Sequence, residues 1–458
     1  MRYTLVVLLL LVMSTSMHAQ FQIGGSAQVL ASTAESLPFW LGHNQNGLYN
    51  IHSRSNQLLL LNGQYQNQRL GGSPLQLEAG ALAIARHSDQ FDYHFNQAYL
   101  RFKLWNWQLE GGRFAEKEFF GGISSTNGHI DRSNNARPHP RIRFGTQEFI
   151  PFLFWKNWFR FKAEYDEGLL NDVRTVENTR LHHKSLYLKA QLAPRWSFML
   201  GLDHFVMWGG NSPDYGQLPD SFRDYLTYVT GGMGTSNFPM TDQLNVAGNQ
   251  YGSYRIETQF PLAGKQATFY INHPFEDHSG MELFNWEDNL YGLFVEISDD
   301  GWLQQLIWEY LFSTDQSGHL HIIGVMTGRD NYYNHGVYRT GHTYEGMAMS
   351  SPLFAPVISE PGKNAILNTR IKMHHLGARG NIKPWLGWMA YLTYSKNFGT
   401  FNVPYDPQRN QFSGLVRLKA NTPRLPFEIS AALAADYGQL YETRWGAMLS
   451  ISKRWGAE

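Results

Sequence analysis

The chain has 458 residues, with 38 Lys+Arg against 38 Asp+Glu and no cysteine. Zero net charge excludes a protein held on nucleic acid by bulk positive charge, and the missing thiols exclude disulfide scaffolds, zinc ribbons, iron–sulfur sites and thiol nucleophiles. A hydrophobic content of 43%, with 15% aromatic and 17% charged residues, excludes intrinsic disorder, because enough apolar surface can be buried to offset chain entropy.

The N-terminus reads Met1, Arg2, Tyr3, an apolar run over residues 5–13, then small residues up to Ala19. This predicts a secretory signal peptide over residues 1–19 and a mature chain of 20–458. The run is shorter than the roughly 20 residues of a spanning helix. No later window reaches that length: the most apolar, 149–155, contains Pro151 and stops at Lys156. Mean hydropathy of −0.38 is too polar for a helical membrane bundle. The exported chain is therefore soluble or crosses a membrane as strands.

Apolar residues at every second position run along the chain. Leu100, Phe102 and Leu104 alternate with Arg101 and Lys103, and Phe159, Phe161 and Ala163 with Arg160 and Lys162. The pattern returns in Leu186–Leu188–Ala190–Leu192, Tyr254–Ile256–Thr258–Phe260 and Trp445–Ala447–Leu449–Ile451. Period two predicts strands, since helical side chains return to one face every 3.6 residues. A soluble sandwich alternates as well, but three features favour a membrane barrel. The segments run about 8–11 residues, the span of a tilted transmembrane strand. Their polar faces, rich in Arg, Lys, Glu and Gln, suit a wet lumen. Trp105, Trp107, Trp155, Trp158, Trp385, Trp388, Trp445 and Trp455 cluster at segment ends, as interfacial girdles do. The expected fold is all-β: a transmembrane antiparallel β-barrel of about 16–18 strands with long loops and a short helix.

Three connections are long. Residues 121–140 are rich in Ser, Asn, His and Arg. Residues 208–249 hold a candidate helix, capped by Asp220 or Ser221, with Phe222, Tyr225, Leu226 and Val229 as one apolar stripe packed on the rim or plugging the lumen. Residues 328–363 carry Tyr332, Tyr333, His335, Tyr338, His342 and Tyr344. Loops on a rigid scaffold are the usual home of binding residues. Rings that stack on pyranose faces, beside amides and carboxylates that bond hydroxyls, suit sugars; the plain alternative for each ring is packing.

Catalytic patterns are absent: there is no Gly-x-Ser-x-Gly elbow, His-Glu-x-x-His helix, phosphate-cradling loop or dinucleotide fingerprint. The doublets His182–His183 and His374–His375 and the pair His319 and His321 lack acidic partners at fixed spacing, so they read as polar lumen lining and not as metal ligands. Neither an enzyme nor a cofactor is expected.

The segment from Gly328-Arg-Asp-Asn-Tyr-Tyr-Asn-His335 through Tyr338 to Gly341-His-Thr-Tyr-Glu-Gly346 resembles a signature of the capsule assembly Wzi family. So do Pro38-Phe-Trp-Leu41 with Asn44, Gln45 and Gly47, and Met207-Trp-Gly-Gly210 leading into Leu218-Pro-Asp-Ser-Phe222. Phe275-Glu-Asp-His-Ser-Gly280 with Asp288, Leu290, Tyr291 and Gly292 completes an ordered set over residues 38–346, most similar to the Bacteroidota branch. The resemblance implies an outer-membrane barrel of about 18 strands that acts as a lectin for capsular polysaccharide. It also implies a periplasmic helical portion, for which this chain offers only the short helix after Pro219.

The resulting expectation is a non-catalytic outer-membrane barrel that binds surface polysaccharide through its outward loops. Trp208, Asp330, Asn331, Tyr332, Tyr333, Asn334 and His335 are the candidate contacts. Its other expected partners are outer-membrane lipid, lipopolysaccharide and the barrel-assembly machinery. The competing reading is a transport pore, which differs in whether the loops and the 220–229 helix leave the lumen open.

Overall fold

The computed structural model describes residues 19–152, 158–276, 280–320, 328–358 and 363–456. The expected signal peptide lies outside these residues except for Ala19, where the first strand begins; Trp155 and His321 also lie outside them.

One antiparallel sheet dominates. It begins with β1 (Ala19–Ser32), β2 (Ser55–Asn67), β3 (Gln76–His87), β4 (Phe91–Leu104), β5 (Trp107–Arg113) and β6 (Pro140–Thr146, resumed at Ile150–Pro151). It continues with β7 (Phe159–Leu170), β8 (Thr179–Ala193), β9 (Trp196–Trp208), β10 (Asn249–Leu262), β11 (Lys265–Glu276) and β12 (Asn289–Glu296). It ends with β13 (Gln305–Phe312), β14 (Ile371–Lys383), β15 (Leu386–Gly399), β16 (Pro404–Ala420), β17 (Glu428–Gly438) and β18 (Arg444–Gly456). Each strand pairs with its sequence neighbours, and β18 returns to β1, with Gln22 opposite Gly456 and Ser32 opposite Gly446. The result is a closed barrel of 18 strands in which no edge is left unpaired.

The connections sort by length onto opposite ends. At one end are tight turns at 105–106, 194–195, 263–264 and 384–385. In one of them Ala263 and Gly264 both take positive φ, 48° and 82°, as a two-residue hairpin turn requires. At the other end are the segments 33–54, 114–139, 209–248 and 313–370. Ala19 and Gly456 lie at the tight-turn end. In outer-membrane barrels short turns face the periplasm and long loops face outward, which orients the molecule.

Alternation decides the two faces of the wall. Phe102, Leu109, Phe144, Leu186, Leu200, Leu392, Val416, Leu433 and Leu449 point outward and are exposed, forming the lipid-facing band. Trp105, Trp107, Trp158, Trp385 and Trp455 ring its periplasmic end, with Trp445 at the outer end. The histidine doublets do not both line the lumen as expected, because successive side chains of a strand point to opposite faces. His183 points inward between Asp166 and Asp203, while His182 points outward to Glu167. His375 likewise points inward to Thr393, and His374 lies outside with its ring tilted against Tyr310.

Short helices among the described residues include α1 (Phe39–Gly42), α2 (Phe222–Thr230) and α3 (Met240–Leu244). The expected helix is α2, and Ser221 caps it in a reciprocal pair with Asp224. Its apolar residues divide differently from the single stripe expected: Tyr225, Tyr228 and Val229 face the barrel, while Phe222 and Leu226 face away. It lies neither on the rim nor in the lumen but against the outside of the wall.

Candidate functional site

Three of the long segments fold into the barrel. Residues 114–139 reach deepest. Ser124 donates its hydroxyl to Glu309 of β13 at 2.6 Å, and Ser125 donates its N–H and hydroxyl to the same carboxylate at 2.7 and 2.6 Å. Tyr270 also donates to Glu309, Tyr391 to the Gly122 carbonyl, and His375 Nε2 to the Ile123 carbonyl at 3.0 Å. At Gly377 a Cβ would sit 2.0 Å from the Ile123 oxygen, so only glycine allows this backbone approach. Residues 33–54 lie beside this plug, with Trp40 Nε1 donating to Thr393 at 2.9 Å and the Phe39 N–H to Asp436 at 2.9 Å. The described residues of 313–370 cap the mouth, where His342 bonds Tyr251 at 2.5 Å and the Asp131 carbonyl at 2.8 Å.

Charge fixes the plug to the wall. Glu116 of the plug pairs with Arg141 and Arg143 at 2.6 and 2.7 Å, and Arg143 pairs with Asp166 at 2.6 Å. Arg132 reaches Asp203 at 3.4 Å and Glu164 at 3.5 Å. Asp131 accepts from Ser253 at 2.7 Å; burial and the facing Asp203 carboxylate raise its pKa to about 6. The plug therefore keeps a proton that the unfolded chain loses near 3.8. This group's stabilisation is greatest below about pH 4, falls as pH rises to about 6 and is flat beyond. Asp131→Asn should flatten that part of the stability profile, measured by denaturant unfolding in detergent at pH 4 and pH 8.

Around the plug the free space is divided. The central cavity is only about 60 Å³, while two cavities of about 410 and 480 Å³ open toward the tight-turn end. At the outer mouth a cavity of about 310 Å³ is lined by Tyr49, Asn50, His52, Arg86, His94, Arg137, Asp172 and Glu345. It adjoins one of about 210 Å³ that reaches Ser36, Tyr441 and Arg444, and the two share Ile51, His52, Gly346 and Met347.

The outer cavity is polar and preset. Arg86 donates to the Leu48 carbonyl at 3.1 Å and pairs with Asp92. Arg137 donates to the Phe95 carbonyl at 2.8 Å and lies 3.3 Å from Glu345. Arg86 Nε, His94 Nε2 and Arg137 Nε are buried without a hydrogen-bond partner. Burial and nearby Arg444 lower the His52 pKa, so the ring is neutral at pH 7. Two guanidinium groups stand among two carboxylates, Asp172 and Glu345, and two neutral-amide or hydroxyl groups, Asn50 and Tyr49. Donors and acceptors interleaved in this way can bond a polyhydroxylated ligand, whose every O–H both gives and accepts. Among the described residues, no group of three His, Asp or Glu side chains is arranged to hold a metal ion.

The sequence candidates lie elsewhere. Trp208 points outward from β9, buried beneath α2 against Tyr225 and Tyr228, so its ring is closed off from the mouth. Tyr332 is fully buried, donating to Asp288 at 2.6 Å and accepting from Asn285. Tyr333 packs against Tyr251, His342 and Phe354. Asn334 ties Asn331 to the Ile366 backbone. These residues hold the cap together; Asp330, Asn331 and His335 remain partly exposed on it. The residues of the outer cavity come from six separated stretches, of which the sequence singled out two, the 121–140 connection that holds Arg137 and the Gly341–Gly346 motif that holds Glu345.

No curated protein matches the chain. Among solved structures, Wzi of Escherichia coli superposes with a TM-score of 0.61 at 14% identity, covering 96% of this chain and 85% of that one. That protein is an outer membrane protein involved in group 1 capsule assembly and a carbohydrate-binding β-barrel. OccK5 of Pseudomonas aeruginosa superposes at 0.52 and 10% identity, covering 96% and 98%, and OprD of the same organism at 0.51 and 10%, covering 96% and 94%. These likenesses establish the outer-membrane barrel fold. The family model of the capsule assembly protein Wzi matches residues 21–356, from the first strand through the plug and the cap, and the chain belongs to that family.

Proposed function

We propose that this outer-membrane protein binds a surface polysaccharide, capsular or exopolysaccharide, at its outward mouth and helps retain it on the cell without catalysing any reaction. The observation that carries this reading is the preset polar cavity at the mouth, where Arg86, His94 and Arg137 stand among Asn50, Asp172 and Glu345. The cavities of about 310 and 210 Å³ lie side by side and suit consecutive sugar units of a chain. Tyr441, with Arg444 4.8 Å over its ring, offers an aromatic wall in the second. Asp330, Asn331 and His335 are secondary contacts for a longer glycan crossing the cap. The carbohydrate-binding neighbour from E. coli supports the assignment of ligand class.

The test is to compare cell-bound and shed polysaccharide in a strain lacking the protein and in its parent. Unchanged total polysaccharide with a shift from cells to medium is the expected result. An unaffected cell-bound fraction would remove that glycan as the ligand.

A further inference from the structure

The geometry points to the α2–α3 excursion, residues 209–248, as a membrane-embedded surface that takes acyl chains of the outer leaflet in place of the barrel wall. On most of the barrel the lipid-facing band spans the wall itself. On β18 it runs from Trp455 to Trp445, about ten residues, the length of a tilted transmembrane strand. On β9 the band starts at Trp196 with Phe198, Leu200 and Leu202, but then stops. Within the same count of residues the outward positions become His204 and Val206, and on the neighbouring strands Lys184, His182 and Glu167; all but Val206 are polar and cannot face hydrocarbon uncovered.

The excursion covers them. Tyr225 of α2 donates to Glu167, Lys184 donates to the Val229 carbonyl, and Gln250 donates to the Tyr228 carbonyl at 3.0 Å while holding His204 at 2.8 Å. Val206, Trp208, Tyr228, Phe238 and Ala247 form a separate apolar cluster between wall and helix. The surface turned away carries exposed apolar side chains, Phe222 at 76%, Leu226 47%, Met233 58% and Met240 65%, among polar ones such as Thr230 and Thr241. Such exposure is costly in water and is continuous with the lipid-facing wall below it. The charged Arg223 and Asp224 beside Phe222 place the helix near the headgroup level, as expected of an interfacial amphipathic helix.

Because the chain has no cysteine, single cysteines can be labelled without background. Phe222→Cys and Leu226→Cys would carry an environment-sensitive fluorophore in the full-length protein, refolded into phosphatidylcholine vesicles with or without brominated acyl chains. Leu449→Cys on the wall serves as the lipid-facing control and Asn402→Cys on an outer turn as the aqueous one. All four positions are exposed, so assembly is preserved, and heat-modifiable gel mobility verifies it. Bromolipid quenching at 222 and 226 of at least half that at 449 is the expected result. Water-like emission with quenching no greater than at 402 overturns the proposal. So does emission that changes with protein-to-lipid ratio but not with bromination, which would make the occupant a second copy.

Discussion

Glu309→Ala is expected to convert a closed barrel into a conducting one. The carboxylate is fully buried and accepts from Ser124, twice from Ser125 and from Tyr270, so one substitution strands four donors in the lumen. Each buried donor left unpaired costs about 1–3 kcal/mol, so the tip of the plug loses several kcal/mol of docking energy. The barrel itself is held by its closed ladder of backbone hydrogen bonds and should still assemble. A barrel of 18 strands is wide enough for water once the plug moves. Planar-bilayer recordings should therefore show little steady conductance for the parent and large channels for the variant. Glu309→Gln, which keeps the shape and one acceptor, should fall between them. Large steady channels in the parent would instead favour the transport reading over a plugged, glycan-holding barrel.

The second large effect is expected at the mouth. Arg86→Met together with Arg137→Met keeps the apolar stems but removes both guanidinium groups from the outer cavity. Hydrogen bonds to charged groups contribute about 1.5–3 kcal/mol each. At about 1.4 kcal/mol per tenfold, the pair should weaken binding of polysaccharide isolated from the parent strain by at least roughly 100-fold. In cells the assembled variant should shed glycan as the deletion strain does. Tyr332→Phe, in contrast, deletes one hydroxyl inside the cap and should lower stability while leaving glycan affinity within about threefold, because that ring does not reach the mouth. Equal affinity for the double variant and the parent would remove this cavity from the site.

The barrel was legible because its wall obeys a local rule. Leu100, Phe102 and Leu104 alternate with Arg101 and Lys103 whichever strands lie beside them, since one side meets lipid and the other the lumen. The cap of α2 was legible to within one residue, Asp220 or Ser221, for the same reason: an N-cap bonds its own first turn, and the structure selects Ser221. What α2 packs against was not. Phe222 and Leu226 look the same in sequence as Tyr225 and Val229, and only the barrel's outer wall separates buried from exposed.

The site shows the same division. Tyr332 and Tyr333 stand out in the sequence as a loop rich in rings and amides, yet Asp288, Tyr251 and Phe354, from distant segments, enclose them. Arg86 and His94 stand at the outer ends of β3 and β4, Arg137 at the end of the plug and Glu345 in the cap, with nothing in their local spacing to unite them. Strand period, turn length and short motifs are properties of neighbours along the chain, so the lipid-facing barrel, its long loops and its family could be read from the sequence, while the direction of those loops could not. The plug, the buried cap, the cavity at the mouth and the helix against the outer wall were decided by the tertiary structure alone, because each depends on contacts between segments tens to hundreds of residues apart.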